Sequence, residues 1–492
     1  MDDERARTVG LMTVGCKLNQ YETEGLAELL ESEGYEVVPF GERADVYVVN
    51  TCTVTGRSDY RCRQMLRRAA RTNPGALVVA AGCYAQRDPG ALAAMPEVGL
   101  VVGQSSKSDL PDLIERARRR GSVPGGAKAE SCPGGGDDEA GAEEANADAL
   151  VDVRPHDGRR FDAFDIERFR GYTRAFLKIQ DGCDRRCAYC AVPSARGPAR
   201  SRPAADVVEQ ARRLVANGYR ELVLTGVHIG TFRDGLGLAG LLAELSGLDG
   251  LARLRLGSLE PTELREPLAA EIVTNDRVAP HVHVPMQSGS DTVLAAMRRD
   301  YSSAEYEEAV RRVTDRSSET GLGADVIVGF PGETDEDFAD TVSLVERLPI
   351  TYLHVFSFSP RLGTEAAEMD DSVPGTEKKR RSRVLRALGR AKSRAFRDGL
   401  IGTTQQVLVE SGSNARSGRL SGLSGNYVRV EVGTDSRLCN RLVSVRVDGA
   451  DDSRTWGEVL RELPTDRSDR IEGPCGETGG GSETAAGGPR KE

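Results

Sequence analysis

Three cysteines fall within eight residues, in the segment Cys183-Asp-Arg-Arg-Cys187-Ala-Tyr-Cys190. Their thiolates can face one point only if the chain loops around a metal. Three such ligands on a four-iron cluster leave one iron without a protein ligand, and that iron is open to a substrate. A structural zinc site is the alternative, but it needs a fourth ligand, and no histidine or further cysteine lies close by in the sequence. The spacing therefore favours a reactive iron–sulfur cluster.

Three further cysteines each follow a run of β-branched or small residues. Cys16, Cys52 and Cys83 stand in the motifs VGCKLNQYE, NTCTVT and AGCYAQ. Functional loops of a parallel sheet lie at the carboxyl ends of its strands, so three such loops can converge at one edge. Three ordinary buried cysteines are the alternative, since free cysteine is among the most buried residue types. Their shared position beside glycine, asparagine or threonine favours a common site.

Alternating strand and helix patterns must position these loops. Residues 8–118 predict an α/β unit with a flavodoxin-like parallel sheet. Residues 165–398 repeat the pattern, and the second cysteine loop follows the strand-like run 176–180, which predicts a partial β/α barrel with the loop at a strand's carboxyl end. Short runs punctuated by Gly and Ser over 399–463 predict a small antiparallel β-barrel.

Two segments lack such patterns. Residues 119–160 predict a low-complexity linker and residues 464–492 a disordered tail, because both are poor in large apolar residues. Cys132 and Cys475 fall within them and are not counted as ligands. Cys62, in a helical stretch, and Cys439 receive no role.

The formal net charge is −10, which by itself argues against a nucleic-acid partner. The charges are unevenly distributed: residues 168–202 carry nine Lys or Arg and two acids, and residues 376–397 carry ten and one. Such local basic surfaces attract phosphates even in an acidic chain, although solvated helix faces have the same composition. No apolar run approaches the roughly 20 residues of a membrane span, and no apolar leader is present, so we expect a cytoplasmic protein.

A C-x3-C-x2-C loop after the first strand of a β/α barrel resembles the radical S-adenosylmethionine superfamily. With the three strand-end motifs and the final β-barrel, which resembles a TRAM domain, the chain is similar to the methylthiotransferase family over residues 8–118 and 165–463. The resemblance implies S-adenosylmethionine and two [4Fe–4S] clusters as cofactors. The ligands that it implies are Cys183, Cys187 and Cys190 for one cluster and Cys16, Cys52 and Cys83 for the other.

The resemblance also implies contacts with S-adenosylmethionine. Gly329 and Gly332, in a Gly-Phe-Pro-Gly turn after a strand, allow a ligand to approach the backbone closely. Arginines of the segment 196–202 are candidates for tRNA phosphates or the cofactor carboxylate, with an ordinary surface loop as the alternative. The other candidate cofactor residues are Tyr189, Ser258, Glu260 and Gln287.

The reaction implied by the resemblance adds a methylthio group to C2 of N6-threonylcarbamoyladenosine at position 37 of tRNA. An unactivated aromatic C–H bond resists acid–base chemistry, so a radical is needed. An external electron donor and a sulfur donor are further implied partners, while the final barrel and the basic stretch 376–397 would hold the anticodon loop. The alternatives are sister activities on isopentenyladenosine tRNA or a ribosomal-protein aspartate, and a non-enzymatic iron–sulfur or zinc protein that binds RNA.

Overall fold

The computed structural model describes residues 7–121, 149–156, 158, 161–370, 372–413 and 418–464. These residues form three units in chain order: an N-terminal sheet unit, a central open barrel and a terminal closed barrel, which is the predicted fold class. Most of the predicted linker, the predicted tail, Cys132 and Cys475 lie outside the described residues.

The N-terminal unit is a helix-covered parallel sheet. Its strands are β1 Arg7–Thr13, β2 Tyr35–Val38, β3 Val46–Thr51, β4 Leu77–Gly82, β5 Leu100–Val102 and β6 Leu150–Asp152. Its helices are α1 Lys17–Ser32, α2 Gly56–Thr72, α3 Cys83–Arg87, α4 Pro89–Ala93 and α5 Leu110–Arg119. All neighbouring pairs are parallel, in the flavodoxin-like order β2-β1-β3-β4-β5, with β6 added at the edge.

Two features of this sheet bear on the predictions. β3 and β4 are buried along their whole length because both faces of a parallel sheet are covered, which is why their sequences are almost unbroken apolar runs. β6 lies inside 119–160, the range predicted to be a linker. The N-terminal unit therefore extends past residue 118.

The central unit is an arc of parallel strands with helices outside. Its strands are β7 Ala175–Lys178, β8 Gln180–Asp181, β9 Arg200–Ser201, β10 Glu221–Thr225, β11 Arg253–Leu256, β12 His281–His283, β13 Gly321–Val328 and β14 Tyr352–Ser357. Its helices are α6 Val192–Arg196, α7 Ala204–Ala216, α8 Gly237–Ser246, α9 Leu268–Thr274, α10 Asp291–Ala296, α11 Ser303–Thr314, α12 Asp335–Arg347 and α13 Gly375–Gly399.

Two parallel sheets, β7-β10-β11 and β12-β13-β14, make up this arc, while β8 and β9 form a separate antiparallel pair. Parallel bridges between Leu254 and Val278 and between Ser258 and His283 join them. Within the described residues no pairing joins β7 to β14, so the barrel is partial, as predicted.

The concave side of the arc is polar. Arg253 and Arg255 share one face of β11 because side chains alternate along a strand, and both donate to Glu221 of β10 at 2.7 Å. The intervening Leu254 is fully buried in the core that the outer helices cover. The strands thus supply an apolar outer face for packing and a polar inner face for chemistry.

The terminal barrel is closed, in the order β15-β16-β17-β19-β18. Its strands are β15 Thr404–Ser413, β16 Leu420–Ser424, β17 Arg429–Glu431, β18 Leu442–Ala450 and β19 Thr455–Glu462. The turn after β16 meets the arc, where Arg253 and Arg255 donate to the carbonyls of Gln406, Leu423, Ser424 and Gly425. Because these bonds satisfy buried charges and carbonyls, they fix the barrel against the arc.

Helix α13 ends the central unit and packs against β14. It is 25 residues long and carries ten Lys or Arg. Neither α13 nor any other helix in the described ranges is long and apolar enough to cross a membrane.

Candidate active site

The three N-terminal cysteines lie at the carboxyl ends of neighbouring strands. Cys16 precedes α1 after β1, Cys52 directly follows β3, and Cys83 begins α3 after β4. These strands are adjacent in the sheet, so the three loops share one edge. That edge includes the point between β1 and β3 where the strand order reverses, the usual ligand position in open α/β sheets.

Glycine before two of these cysteines lets the loops converge. Gly15 has φ +120°, and a Cβ there would lie 2.6 Å from the Cβ of Cys52. Gly82 has φ +104°, and a Cβ there would lie 2.6 Å from the side-chain oxygen of Asn50. A residue with a side chain would be strained at these positive φ values and would collide with the neighbouring atoms. Glycine is therefore required sterically before Cys16 and Cys83.

A group of almost fully buried charges lies behind this edge. We call it the buried ionic cluster: Glu22, Lys107, Lys178, Asp181 and Arg196. Glu22 is 2.7 Å from the Lys107 ammonium and 2.8 Å from the Arg196 guanidinium, and Asp181 is 2.8 Å from Lys178. Burial favours a higher pKa for Glu22, but Arg196, Lys107 and Lys178 together hold that pKa well below its usual range. The cluster combines three cations with two carboxylates, and a further anion nearby would balance it.

That positive charge acts on the first cysteine triad. The Gln104 amide donates to Cys83 Sγ at 3.4 Å. Burial raises the pKa of Cys83, while Arg196 and Lys107 favour its thiolate. Burial likewise raises the pKa of Cys52. The Cys52 and Cys83 thiols are protonated at neutral pH, and metal binding would deprotonate them next to cations that stabilise the resulting charge.

Arg196 joins the buried ionic cluster to the second cysteine loop. It ends α6, six residues after Cys190, and donates to Asn19 of α1 at 2.8 Å. Its side chain is only 3% exposed. The predictions that Arg196 meets tRNA phosphates, a cofactor carboxylate or solvent are therefore wrong, because Glu22 and Asp181 already occupy it. It holds the N-terminal unit against the central unit.

Each sulfur of the second triad receives at least one N–H donor, and Cys183 also lies 3.8 Å from Nδ1 of the His228 ring. The pairs are Arg185 N–H to Cys183 (3.4 Å), Val192 N–H to Cys190 (3.5 Å) and Arg299 Nη1 to Cys187 (3.3 Å). Such donors stabilise negative charge on sulfur and tune iron–sulfur clusters. Burial raises the pKa of Cys190 to about 12, so its thiolate form requires a metal.

Two candidate cofactor residues pair with other side chains, and one of those partners contacts this triad. Glu260 forms an ion pair with Arg299, the arginine that donates to Cys187. Ser258 hydrogen-bonds the ring of His283 at 2.8 Å. Arg299 was not predicted from the sequence, since 112 positions separate it from Cys187 and no local motif marks it.

The other four candidates occupy defined positions. Tyr189 packs against the apolar cluster that includes Phe330, and burial raises its pKa. Gln287 adopts φ +65°, a conformation uncommon outside glycine. A Cβ on Gly329 would lie 2.3 Å from the Lys378 side chain, whereas Gly332 has open space around it. Their contacts with S-adenosylmethionine stay predictions.

Rings line the concave side of the arc. We call His281, His283, Tyr352, His354 and Tyr427 the ring cluster. Tyr427 stacks on His281 with centroids 4.5 Å apart and on Tyr352 at 5.3 Å, and Tyr352 stacks on His283 at 5.9 Å. These residues come from two strands, β12 and β14, and from the turn between β16 and β17 of the terminal barrel, and no sequence spacing connects them.

A line of contacts runs from one triad to the other through the ring cluster. Lys17, the neighbour of Cys16, lies over the Tyr427 ring, 5.7 Å from its centroid. At the other end, the His283 ring is hydrogen-bonded to Ser258. Glu260, two residues after Ser258, forms an ion pair with Arg299, which donates to Cys187. The two thiol sites thus border one polar, ring-lined region.

Known proteins identify this arrangement. Residues 8–103 match the Uncharacterized protein family UPF0004, and residues 177–345 match the Radical SAM superfamily. Over 92% of its length the chain is 33% identical to the threonylcarbamoyladenosine tRNA methylthiotransferase MtaB of Bacillus subtilis, covering 96% of that protein. The chain belongs to the methylthiotransferase family. Its cofactors are [4Fe–4S] clusters and S-adenosylmethionine.

Other relatives of this methylthiotransferase divide between two named activities. The MtaB of Aquifex aeolicus is 38% identical over 82% of the chain and 92% of that protein. The tRNA-2-methylthio-N(6)-dimethylallyladenosine synthase of Sphingopyxis alaskensis is 32% identical over 94% of the chain and all of that protein. A solved structure of TsrM from Kitasatospora setae, with cobalamin and a [4Fe–4S] cluster, has a TM-score of 0.51 at 20% identity and covers 74% of this chain and 77% of its own, so it shows the fold alone.

The thiol spacing of this methylthiotransferase fits clusters better than single zinc ions. Tetrahedral zinc binds thiolates at 2.3 Å, which places the sulfurs roughly 3.8 Å apart. In the described part of the chain, His283, Asp325 and His354 form the group of three potential metal ligands whose ligand atoms all lie within 4.8 Å of one another. The sulfur atoms of neither cysteine triad meet this distance. More widely spaced sulfur atoms suit a four-iron cluster, because each thiolate binds a different iron.

Proposed function

We propose that this methylthiotransferase acts on tRNA and adds a methylthio group to C2 of N6-threonylcarbamoyladenosine at position 37. The observation that carries the proposal is the pair of thiol triads bordering one ring-lined region, since sulfur insertion requires both a sulfur site and a radical site. The named MtaB relatives support the threonylcarbamoyl substrate. We further propose that the enzyme works in the cytoplasm with an external electron donor and a sulfur donor.

The two triads have different roles in this proposal. Cys183, Cys187 and Cys190 would hold the cluster that, with S-adenosylmethionine, would supply the radical chemistry that an unactivated C–H bond requires. Cys16, Cys52 and Cys83 would hold the cluster at the sulfur site. Cofactor contacts come from the second loop and the strand ends: Tyr189, Ser258, Glu260, Gln287, Gly329 and Gly332. The ring cluster offers flat faces on which an extruded base stacks, a contact worth roughly 1–3 kcal/mol per base.

The first test is chemical analysis of tRNA. We expect tRNA nucleosides from a deletion strain to lack 2-methylthio-N6-threonylcarbamoyladenosine and to accumulate its unmodified precursor, as measured by liquid chromatography with mass spectrometry. The wild-type gene on a plasmid should restore the methylthio nucleoside. The dimethylallyl relatives at 32–33% identity make the sister activity a specific rival. Loss of methylthio-isopentenyladenosine with the threonylcarbamoyl product unchanged would establish that rival instead.

Part of helix α13 suits the tRNA backbone. Seven of its ten cations have partners within the protein, such as Arg381 with Glu333 and Arg397 with carbonyls of the terminal barrel. Lys379, Arg383 and Arg390 are exposed and make no hydrogen bond or ion pair within the described residues. Four- and seven-residue spacings place these three on one face, about 16 Å long. They form the phosphate stripe.

Removing the phosphate stripe should weaken tRNA binding in a salt-dependent way. For the variant with Lys379→Met, Arg383→Met and Arg390→Met, we expect the slope of log affinity against log salt to fall by roughly two to three, since each phosphate contact contributes about 0.7–0.9. Filter binding from 50 to 300 mM salt measures the slope. A matched variant replaces Arg311, Arg312 and Arg316, which pair with acids elsewhere on the central unit. If the two triple variants had equal slopes, the loss of affinity would come from net charge, and the phosphate stripe would not contact tRNA.

A further inference from the structure

Lys17 borders the ring-lined region next to the first cysteine triad. It follows Cys16, and its ammonium lies 5.7 Å from the centroid of the Tyr427 ring. Within the described residues it forms no ion pair, whereas the neighbouring buried lysines, Lys107 and Lys178, each contact a carboxylate. The Lys17 side chain is partly exposed, so its ammonium is open to a ligand in the ring-lined region. An accessible ammonium beside a ring and without a carboxylate partner is suited to binding an anionic group of a ligand.

The surrounding charges make an internal partner for Lys17 less available. Its main charged neighbours are Arg255, Arg174 and Glu221. Glu221 already accepts hydrogen bonds at 2.7 Å from Arg255 and, through its other oxygen, from Arg253. Arg255 lies 5.2 Å from the same Tyr427 ring that Lys17 faces. This end of the ring cluster consequently carries excess positive charge.

The position of Lys17 relates it to one part of the substrate. A base stacked on the ring cluster with C2 toward the sulfur site of Cys16 has its N6 substituent on the same edge, a few ångströms from C2. In N6-threonylcarbamoyladenosine that substituent ends in a carboxylate, and in dimethylallyladenosine it is an apolar chain. We propose that Lys17 binds the carboxylate of the N6 substituent and thereby selects the threonylcarbamoyl substrate. The inference rests on the proposed function and extends it to substrate selection.

A combination of enzyme and substrate variants tests this pairing. The substrates are anticodon stem-loop RNAs carrying threonylcarbamoyladenosine or its threonyl methyl ester, which lacks the negative charge. We expect Lys17→Met to lower kcat/KM on the acid roughly 100-fold, because truncating one member of a desolvated charge pair leaves the other unpaired. Wild type should discriminate against the ester by a similar factor, and Lys17→Met should hardly distinguish acid from ester. Lys17→Arg, which keeps the charge, should retain most of the preference for the acid.

The acid-to-ester ratio separates the possible outcomes, because it is measured within one preparation and does not depend on cluster loading. A Lys17→Met enzyme that keeps the wild-type ratio, or a wild-type enzyme with no preference for the acid, would overturn the role of Lys17. A wild-type enzyme that modifies neither RNA but modifies one bearing dimethylallyladenosine would instead overturn the proposed function. Arg213→Met is the matched control, since that guanidinium pairs with Asp165 at the outer surface, away from both basic stretches. It should keep the wild-type ratio and rate.

Discussion

Replacing Cys183 by alanine should abolish 5′-deoxyadenosine formation and leave about four of the roughly eight irons expected for two four-iron clusters. The N–H donors at Cys187 and Cys190 remain, but two thiolates and no third ligand hold a cluster poorly. Anaerobic protein incubated with S-adenosylmethionine and dithionite, followed by chromatography of the products, measures the cleavage. Iron analysis of the same preparation measures the loss.

Cys16→Ala should give the complementary result. We expect the second triad to keep its cluster and to cleave S-adenosylmethionine, while methylthio transfer to tRNA stops. Cys439→Ala, in a partly buried position on the terminal barrel core, is the control and should keep both activities. If Cys183→Ala still formed 5′-deoxyadenosine at the wild-type rate, the assignment of the radical site to this loop would be wrong.

Glu22→Gln should destabilise the protein by about 3–5 kcal/mol, because it removes one partner of a buried ion network and leaves the others unpaired. Glu22 is 4% exposed and contacts Lys107 and Arg196, so the amide would leave three buried cations with Asp181 as their carboxylate. The midpoint of urea unfolding should fall by roughly 1–2 M. Because Arg196 joins the two units, we also expect a weaker hold of the first triad on its iron.

The effect of Glu22→Gln should depend on pH. The pKa of Glu22 is depressed in the folded protein, so its stabilisation is present above the unfolded value of about 4.3 and is lost as the pH falls through the folded value. Wild type and Glu22→Gln should thus differ most near neutral pH and converge in acid. Unfolding curves at pH 7, 5 and 3 check this.

The matched control for Glu22→Gln is Glu209→Gln. Glu209 pairs with Arg212 at the surface, where both side chains are more than half exposed, and such pairs contribute at most about 1 kcal/mol. If the two variants had equal urea midpoints, the buried ionic cluster would have no special role in stability.

The sequence by itself determined the two triads, the confirmed fold class and, through its resemblance, the confirmed family. These features are local: three thiols within eight residues, Gly-Cys pairs after β-branched runs, and strand and helix periods that follow from backbone geometry. It also predicted the basic stretch 376–397, but not which of its cations were already occupied. Exposed and buried arginines look alike in a charge run, because burial depends on what packs against the helix.

Only the tertiary structure decided which distant side chains meet. Arg196 pairs with Glu22 across 174 positions, and Lys17 reaches Tyr427 from another unit. Strand β6 likewise joined the N-terminal sheet from within a segment predicted to be a linker. Such contacts leave no periodic trace in the sequence, since a single long-range pair constrains two residues and nothing between them. The thiol sites are therefore encoded locally, and the polar, ring-lined region between them exists only because three units of the chain pack together.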